Sequence, residues 1–194
     1  MDKSNGYEFI ASKFIKIREQ ANNGIGTTAV RNWAQKLSTG SAILDLGCGS
    51  GIPISKVLIE EGMLVYGIDA SETLIRSFRQ NLPTAHAACE SVEDSLFFNR
   101  KFDAIISWGL MFLLSKDVQE KLIQKVSDAL HIGGNFLFTA PNKKAAWKDI
   151  LTGQTSRSLG VEKYKELLLS SGLALIEEFE DEGQNHYFNA VKVE

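Results

Sequence analysis

Eleven residues, ILDLGCGSGIP from Ile43 to Pro53, set three glycines at alternate positions directly behind a short apolar run. Glycine loses more backbone freedom on folding than any other residue, so three in close succession need a reason. Strand, glycine loop and helix in that order bring backbone N–H groups to a helix N-terminus, where they meet a ligand. The spacing is GxGxG over Gly47, Gly49 and Gly51, with Asp45 ahead of it. No lysine stands where a GxxxxGK(S/T) phosphate loop requires one. The dinucleotide pattern GxGxxG begins at Gly47 and Gly49, but Ile52 takes the place of its third glycine.

Around this unit, strand-like and helix-like stretches alternate. Residues 42–46 read as a buried strand, followed by a helix over about 52–61 with Pro53 in its first turn and Gly62 just past its end. A second strand covers 63–69, and Ser71 caps the next helix. Weaker and stronger strands follow at 85–90 and 102–108. Asp117 and Glu120 have capping-box spacing and open a helix to about Leu130, ahead of a strand at 135–140. Such alternation implies a mostly parallel sheet covered on both faces. The ends depart from it. Helices are expected at 7–20 and 27–37, a long connection at 141–160, a helix to Ser171, and strands at 173–179 and 186–193. The short link between those last strands makes them an antiparallel hairpin. The expectation is an α/β, doubly wound, mostly parallel seven-stranded sheet with a C-terminal antiparallel hairpin.

Asp69 ends the second strand, where a carboxylate accepts two hydrogen bonds from a ribose diol. NAD and adenosyl ligands both carry that diol, so Asp69 alone leaves the cofactor open.

Taken together, ILDLGCGSG, VYGIDAS, FDAIIS and ALHIGGNFLFT resemble the motifs of Rossmann-like (class I) S-adenosylmethionine-dependent methyltransferases. Ile132 stands where the family has proline, and Ser91 in CESVED replaces its usual adenine-side aspartate. The closing hairpin is also a feature of that family. The resemblance runs from about Tyr7 to the C-terminus. It implies S-adenosylmethionine as cofactor, S-adenosylhomocysteine as product, and no metal.

By position, the resemblance puts Asp45, Gly47, Gly49 and Gly51 along the methionine and ribose, and Asp69, Ala70 and Ser71 at the ribose. Ser91 and Val92 meet the adenine, and Ser107 and Trp108 the methionine. Tyr7 and Phe14 belong to an N-terminal helix folded over the cofactor. Trp108 also suits a sulfonium through its ring face, its competing reading being a core aromatic at a strand end. His186, brought back to the sheet edge by the hairpin, is the candidate general base. Its competing reading is a structural histidine.

Methyl transfer from a sulfonium is an in-line displacement, so the protein's task is alignment and exclusion of water. Met111, Phe112, Trp147 and Tyr187 are the candidate acceptor wall. Trp147, Ile150 and Leu151 have helical spacing inside the 141–160 connection, so Trp147's competing reading is packing against the body; the length of the connection suggests a substrate lid. A single domain over 1–194 is expected, with the helices of 1–40 over the cofactor site. The residues SWGL after the fourth strand lack the (D/N/S)PP(Y/F) of base- and glutamine-directed relatives, and no glutamate pair marks an arginine-directed one. A small-molecule acceptor is the expectation that remains.

A net charge of −3 disfavours nucleic acid as partner. No apolar run is long enough to span a bilayer. Two cysteines without metal-ligand spacing suit a reducing cytoplasm. Oligomeric state stays open between monomer and homodimer. Two other classes stay in view: an NAD-binding Rossmann oxidoreductase, and a non-catalytic adenosyl-binding partner subunit.

Overall fold

The computed structural model describes residues 2–20 and 24–194. Strands β1 (Ala42–Leu46), β2 (Leu64–Asp69), β3 (His86–Cys89), β4 (Phe102–Ser107) and β5 (Leu130–Thr139) run parallel. The C-terminal pair β8 (Leu173–Glu180) and β9 (His186–Lys192) completes one sheet in the order β3-β2-β1-β4-β5-β9-β8, with β9 antiparallel to both neighbours. The expected seven-stranded, doubly wound sheet with its antiparallel hairpin is therefore present. Strand order reverses between β1 and β4, and open α/β sheets bind ligands at the carboxyl ends of strands beside such a reversal.

All five residues of β1 are buried, as a central strand covered on both faces requires. Side chains alternate between two cores. Ile43, Val65, Ile106 and Leu137 pack with helices α2 (Thr27–Ala34), α3 (Ile54–Glu60) and α4 (Glu72–Asn81). Leu44, Ile105, Phe136 and Phe138 pack with α5 (Lys116–Ala129) and α6 (Val161–Ser170) on the other face. Helix α1 (Tyr7–Gln20) lies beside α4.

Three local expectations need correction. The cap of α5 is Ser115, whose hydroxyl accepts from the Val118 N–H, and Asp117 sits inside the first turn. Pro53 precedes the first turn of α3 and is its N-cap residue. The 141–160 segment folds as a second small sheet, β6 (Ala145–Lys148) against β7 (Thr155–Ser158). The helical spacing of Trp147, Ile150 and Leu151 is thus coincidental. Asp149 closes the link by accepting from the N–H groups of Leu151 and Thr152, at 2.9 and 2.8 Å. That side-chain turn competes with helix formation. Among the described residues no helix is long and apolar enough to cross a membrane.

Candidate active site

A cavity of about 470 Å³ opens at the carboxyl ends of β1, β2 and β4. Its floor is the glycine loop, pinned where the Gly47 and Cys48 N–H groups both bond the Ile68 carbonyl, at 2.9 and 3.0 Å. The three glycines serve different ends. An added Cβ at Gly47 would meet the Leu110 side chain at 3.0 Å. At Gly49 the nearest atom is Phe14 Cε1, 4.0 Å away, so the backbone there faces open cavity. Gly51 faces the core, where a Cβ would lie 2.5 Å from Leu82 Cδ1 and 2.9 Å from Phe78 Cδ2.

Asp69 holds the end of β2. Its Oδ2 accepts from the Gly49 N–H at 3.0 Å and its Oδ1 from the Ser71 N–H at 2.8 Å. Each oxygen keeps further acceptor capacity. Burial pushes its carboxyl up to about 6, against the two backbone donors that favour the charged form. Asp45 lies deeper, accepts from the Ser55 hydroxyl at 2.5 Å, and is pushed up to about 7 by burial. Two desolvated carboxylates below an open glycine form a floor that favours a ligand bringing hydroxyl or ammonium donors.

The opposite wall comes from α1 and from the turn after β4. Tyr7, Phe14 and Arg18 share one helical face and all line the cavity. Glu8 fastens that helix to the start of α4: its Oε2 accepts from the Ser71 hydroxyl at 2.5 Å, and its Oε1 from the Thr73 hydroxyl at 2.7 Å. Across the cavity, the Trp108 indole N–H donates to the Tyr187 hydroxyl at 2.7 Å, which donates to Asp181 at 2.8 Å. An indole N–H only donates, so the direction of this chain is fixed.

Residues 43–134 match the family model described as a methyltransferase domain. Over that stretch the chain is similar to methyltransferases. It is 33% identical over 103 residues to an uncharacterized methyltransferase of Anoxybacillus flavithermus, covering 52% of this chain and 47% of that one. It is 27% identical over 108 residues to a ubiquinone biosynthesis O-methyltransferase of Coxiella burnetii, covering 54% and 45%. The matched stretch thus spans about half the length of these curated relatives. The solved magnesium protoporphyrin IX methyltransferase of Synechocystis PCC 6803, with bound S-adenosylhomocysteine, shares the fold with a TM-score of 0.79. That pairing covers 99% of this chain and 100% of the other at 16% identity.

Within this methyltransferase fold the cavity gathers Asp45, Gly47, Gly49, Asp69, Ala70, Ser91, Val92, Trp108, Tyr7, Phe14 and Phe112 from the sequence-derived set. Others stand elsewhere. Gly51 packs against Leu82 and Phe78, and Ser71 caps α4 through the Leu74 N–H while bonding Glu8. Ser107 and Met111 are fully buried outside the lining. Trp147 reaches only the back of Phe112, ring centroids 5.8 Å apart. Tyr187 is buried behind Trp108 and stacks on Phe179 at 4.7 Å, so it supports the wall without forming it.

His186 is also outside the lining. Its Nε2 is 3.2 Å from Glu178, its Nδ1 3.5 Å from Glu180, and its ring meets Phe188 edge-on. Hairpin register explains this, because pairing His186 with Glu180 fixes it against neighbours on its own strands. Of the N-terminal helices only α1 borders the cavity. Helix α2 buries Val30, Trp33 and Ala34 in the core.

Sequence reading missed Arg18, Leu110 and Glu8. The spacing of Tyr7, Phe14 and Arg18 on one helical face was the signal for the first. Nothing local announces the others. The tyrosine chain makes its own test. Tyr187→Phe leaves the Trp108 N–H without an acceptor and is expected to cost about 1–3 kcal/mol. Chemical denaturation measures this, and a loss below about 0.5 kcal/mol would show that the chain bears little of the fold's stability.

Proposed function

We propose that this chain transfers the methyl group of S-adenosylmethionine to a small-molecule acceptor by in-line displacement. The observation that carries the reading is the Asp69 carboxylate, held by the Gly49 and Ser71 N–H groups beside open backbone at Gly49. That arrangement fits a ribose diol. Asp45 offers a second acceptor for an amino group, and Ser91 and Val92 border the place for a purine edge. Similar proteins named for ubiquinone biosynthesis and for magnesium protoporphyrin IX support a small organic acceptor.

The sulfonium cofactor supplies an electrophilic methyl group on a good leaving group. The residues of this chain align and enclose. Helix α1, fastened through Glu8, closes Tyr7 and Phe14 over the floor and limits water. The Trp108 ring, fixed by Tyr187, sets the far wall. Exclusion of water and orientation of two reactants are worth several orders of magnitude in rate. No side chain in this account acts as a dedicated base. The two cysteines are unpaired and are compatible with a cytoplasmic setting for this activity.

Calorimetry with S-adenosylmethionine, S-adenosylhomocysteine and NAD tests the reading. Both adenosyl ligands are expected to bind at micromolar concentration and to raise the melting temperature. Binding of NAD alone would overturn the proposal, as would release of no S-adenosylhomocysteine across a broad metabolite screen.

A further inference from the structure

Two cations line the cavity, and they differ in what they meet. Lys3 is engaged at 2.9 Å from Glu93 and 2.7 Å from Asp94. Arg18 forms no ion pair with a carboxylate among the side chains described. Its guanidinium lies instead on aromatic faces, 4.7 Å from the Trp108 ring centroid and 5.6 Å from that of Phe14. Its Nε is buried without an acceptor. Burial pulls its pKa down, yet a guanidinium stays charged in proteins. A desolvated positive charge without a counter-charge is expensive, and aromatic faces return only part of that cost.

The location narrows what would supply the counter-charge. Asp69 anchors a ribose at the end of β2, and Trp108 follows β4, two strands away in the sheet. At about 4.8 Å per strand this is roughly 10 Å. The indole N–H reaches further still, to Tyr187 on β9, so its ring extends away from Asp69. Arg18 therefore stands at the end of the cavity away from Asp69. Leu110, Phe112 and Leu113, which line the cavity after Trp108, are apolar.

We propose that the methyl acceptor is a flat, largely apolar molecule bearing a carboxylate, and that Arg18 is the receptor for that group. The inference rests on the methyltransferase reading above. A guanidinium fork matches a carboxylate with two parallel hydrogen bonds, and Trp108 and Phe14 already flank it. The same carboxylate would neutralise Arg18 in the presence of the cationic sulfonium, whose charge it otherwise opposes. An uncharged analogue leaves both cations uncompensated. Specificity of this kind comes as much from the penalty on the wrong ligand as from contacts to the right one.

The test uses the full chain loaded with S-adenosylhomocysteine and probed with 4-hydroxybenzoate, salicylate and indole-3-carboxylate against their primary carboxamides. Calorimetry is expected to show at least one acid binding about tenfold or more tighter than its amide. Arg18→Gln is expected to erase that ratio while changing S-adenosylhomocysteine affinity less than about twofold, and Arg18→Lys to keep part of it. Equal binding of acids and amides by the unaltered protein would overturn the inference. A tenfold loss of S-adenosylhomocysteine affinity in Arg18→Gln would also overturn it, because the guanidinium would then serve the cofactor's own carboxylate. Failure of the loading step would remove the methyltransferase reading itself, and is seen before any acid is added.

Discussion

Asp69→Asn is expected to weaken S-adenosylmethionine by about a hundredfold or more, and to remove the rise in affinity through about pH 6 that the unaltered protein shows, leaving only the part that follows Asp45 near pH 7. Hydrogen bonds to a charged group contribute roughly 1.5–3 kcal/mol each, and a ribose diol offers two. One factor of ten corresponds to about 1.4 kcal/mol, so losing most of that pair gives the stated range. The pH dependence follows from burial. Asp69 titrates at about 6 and Asp45 at about 7 in the empty protein, both above the usual carboxylate range near 4. In the window from about pH 4 to 7 the empty folded protein therefore holds protons that the unfolded chain has released. These two groups make the empty protein less stable as pH rises through that window. Ligand affinity moves the opposite way, because the diol needs the ionised carboxylate. Affinity should rise through about pH 6 and level off above pH 7. Calorimetry from pH 5 to 8 on both proteins decides this. A flat profile in the unaltered protein would detach Asp69 from ligand binding.

The parts of this fold that were readable in the sequence are those fixed by neighbours along the chain. The run of residues 42–46, the glycines behind it and Asp69 at the next strand end each declare themselves through periodicity, positive-φ demand or position. The parts that were not readable depend on residues far apart in sequence. Arg18 meets Trp108 across ninety positions, and Trp108 meets Tyr187 across nearly as many more. No local pattern encodes either contact. Trp147 shows the opposite failure. Its spacing to Ile150 and Leu151 mimics a helix, but pairing with Ser156 and the Asp149 turn hold it in a hairpin. His186 and Tyr187 reached the expected edge of the sheet. Hairpin register then turned one toward Glu178 and buried the other behind Trp108. Strand order thus places a residue at an edge, but packing decides whether it touches the cavity.

Gly51→Ala and Gly49→Ala should separate two roles that one motif conceals. Gly51 has φ +79°, and an added Cβ would come within 2.5 Å of Leu82. Left-handed backbone costs an alanine roughly 1–2 kcal/mol and overpacking a further 1–3 kcal/mol. Gly51→Ala is therefore expected to destabilise the protein by about 3 kcal/mol, with adenosyl affinity of the folded fraction within about threefold of normal. Gly49 has φ +56°, inside the small left-handed region that other residues tolerate, and no atom within 4 Å except Phe14 at that limit. Its alanine variant should lose only about 1 kcal/mol of stability. The new methyl group would instead stand in the space a ligand needs against the backbone, so affinity for S-adenosylhomocysteine should fall tenfold or more. Denaturation and calorimetry on both variants give four numbers, and the reverse pattern would place the ligand over Gly51. The distinction matters because the GxGxG spacing treats all three glycines alike. The first makes room for the Leu110 side chain, the second leaves open backbone beside Phe14, and the third makes room for α4 to pack against the loop.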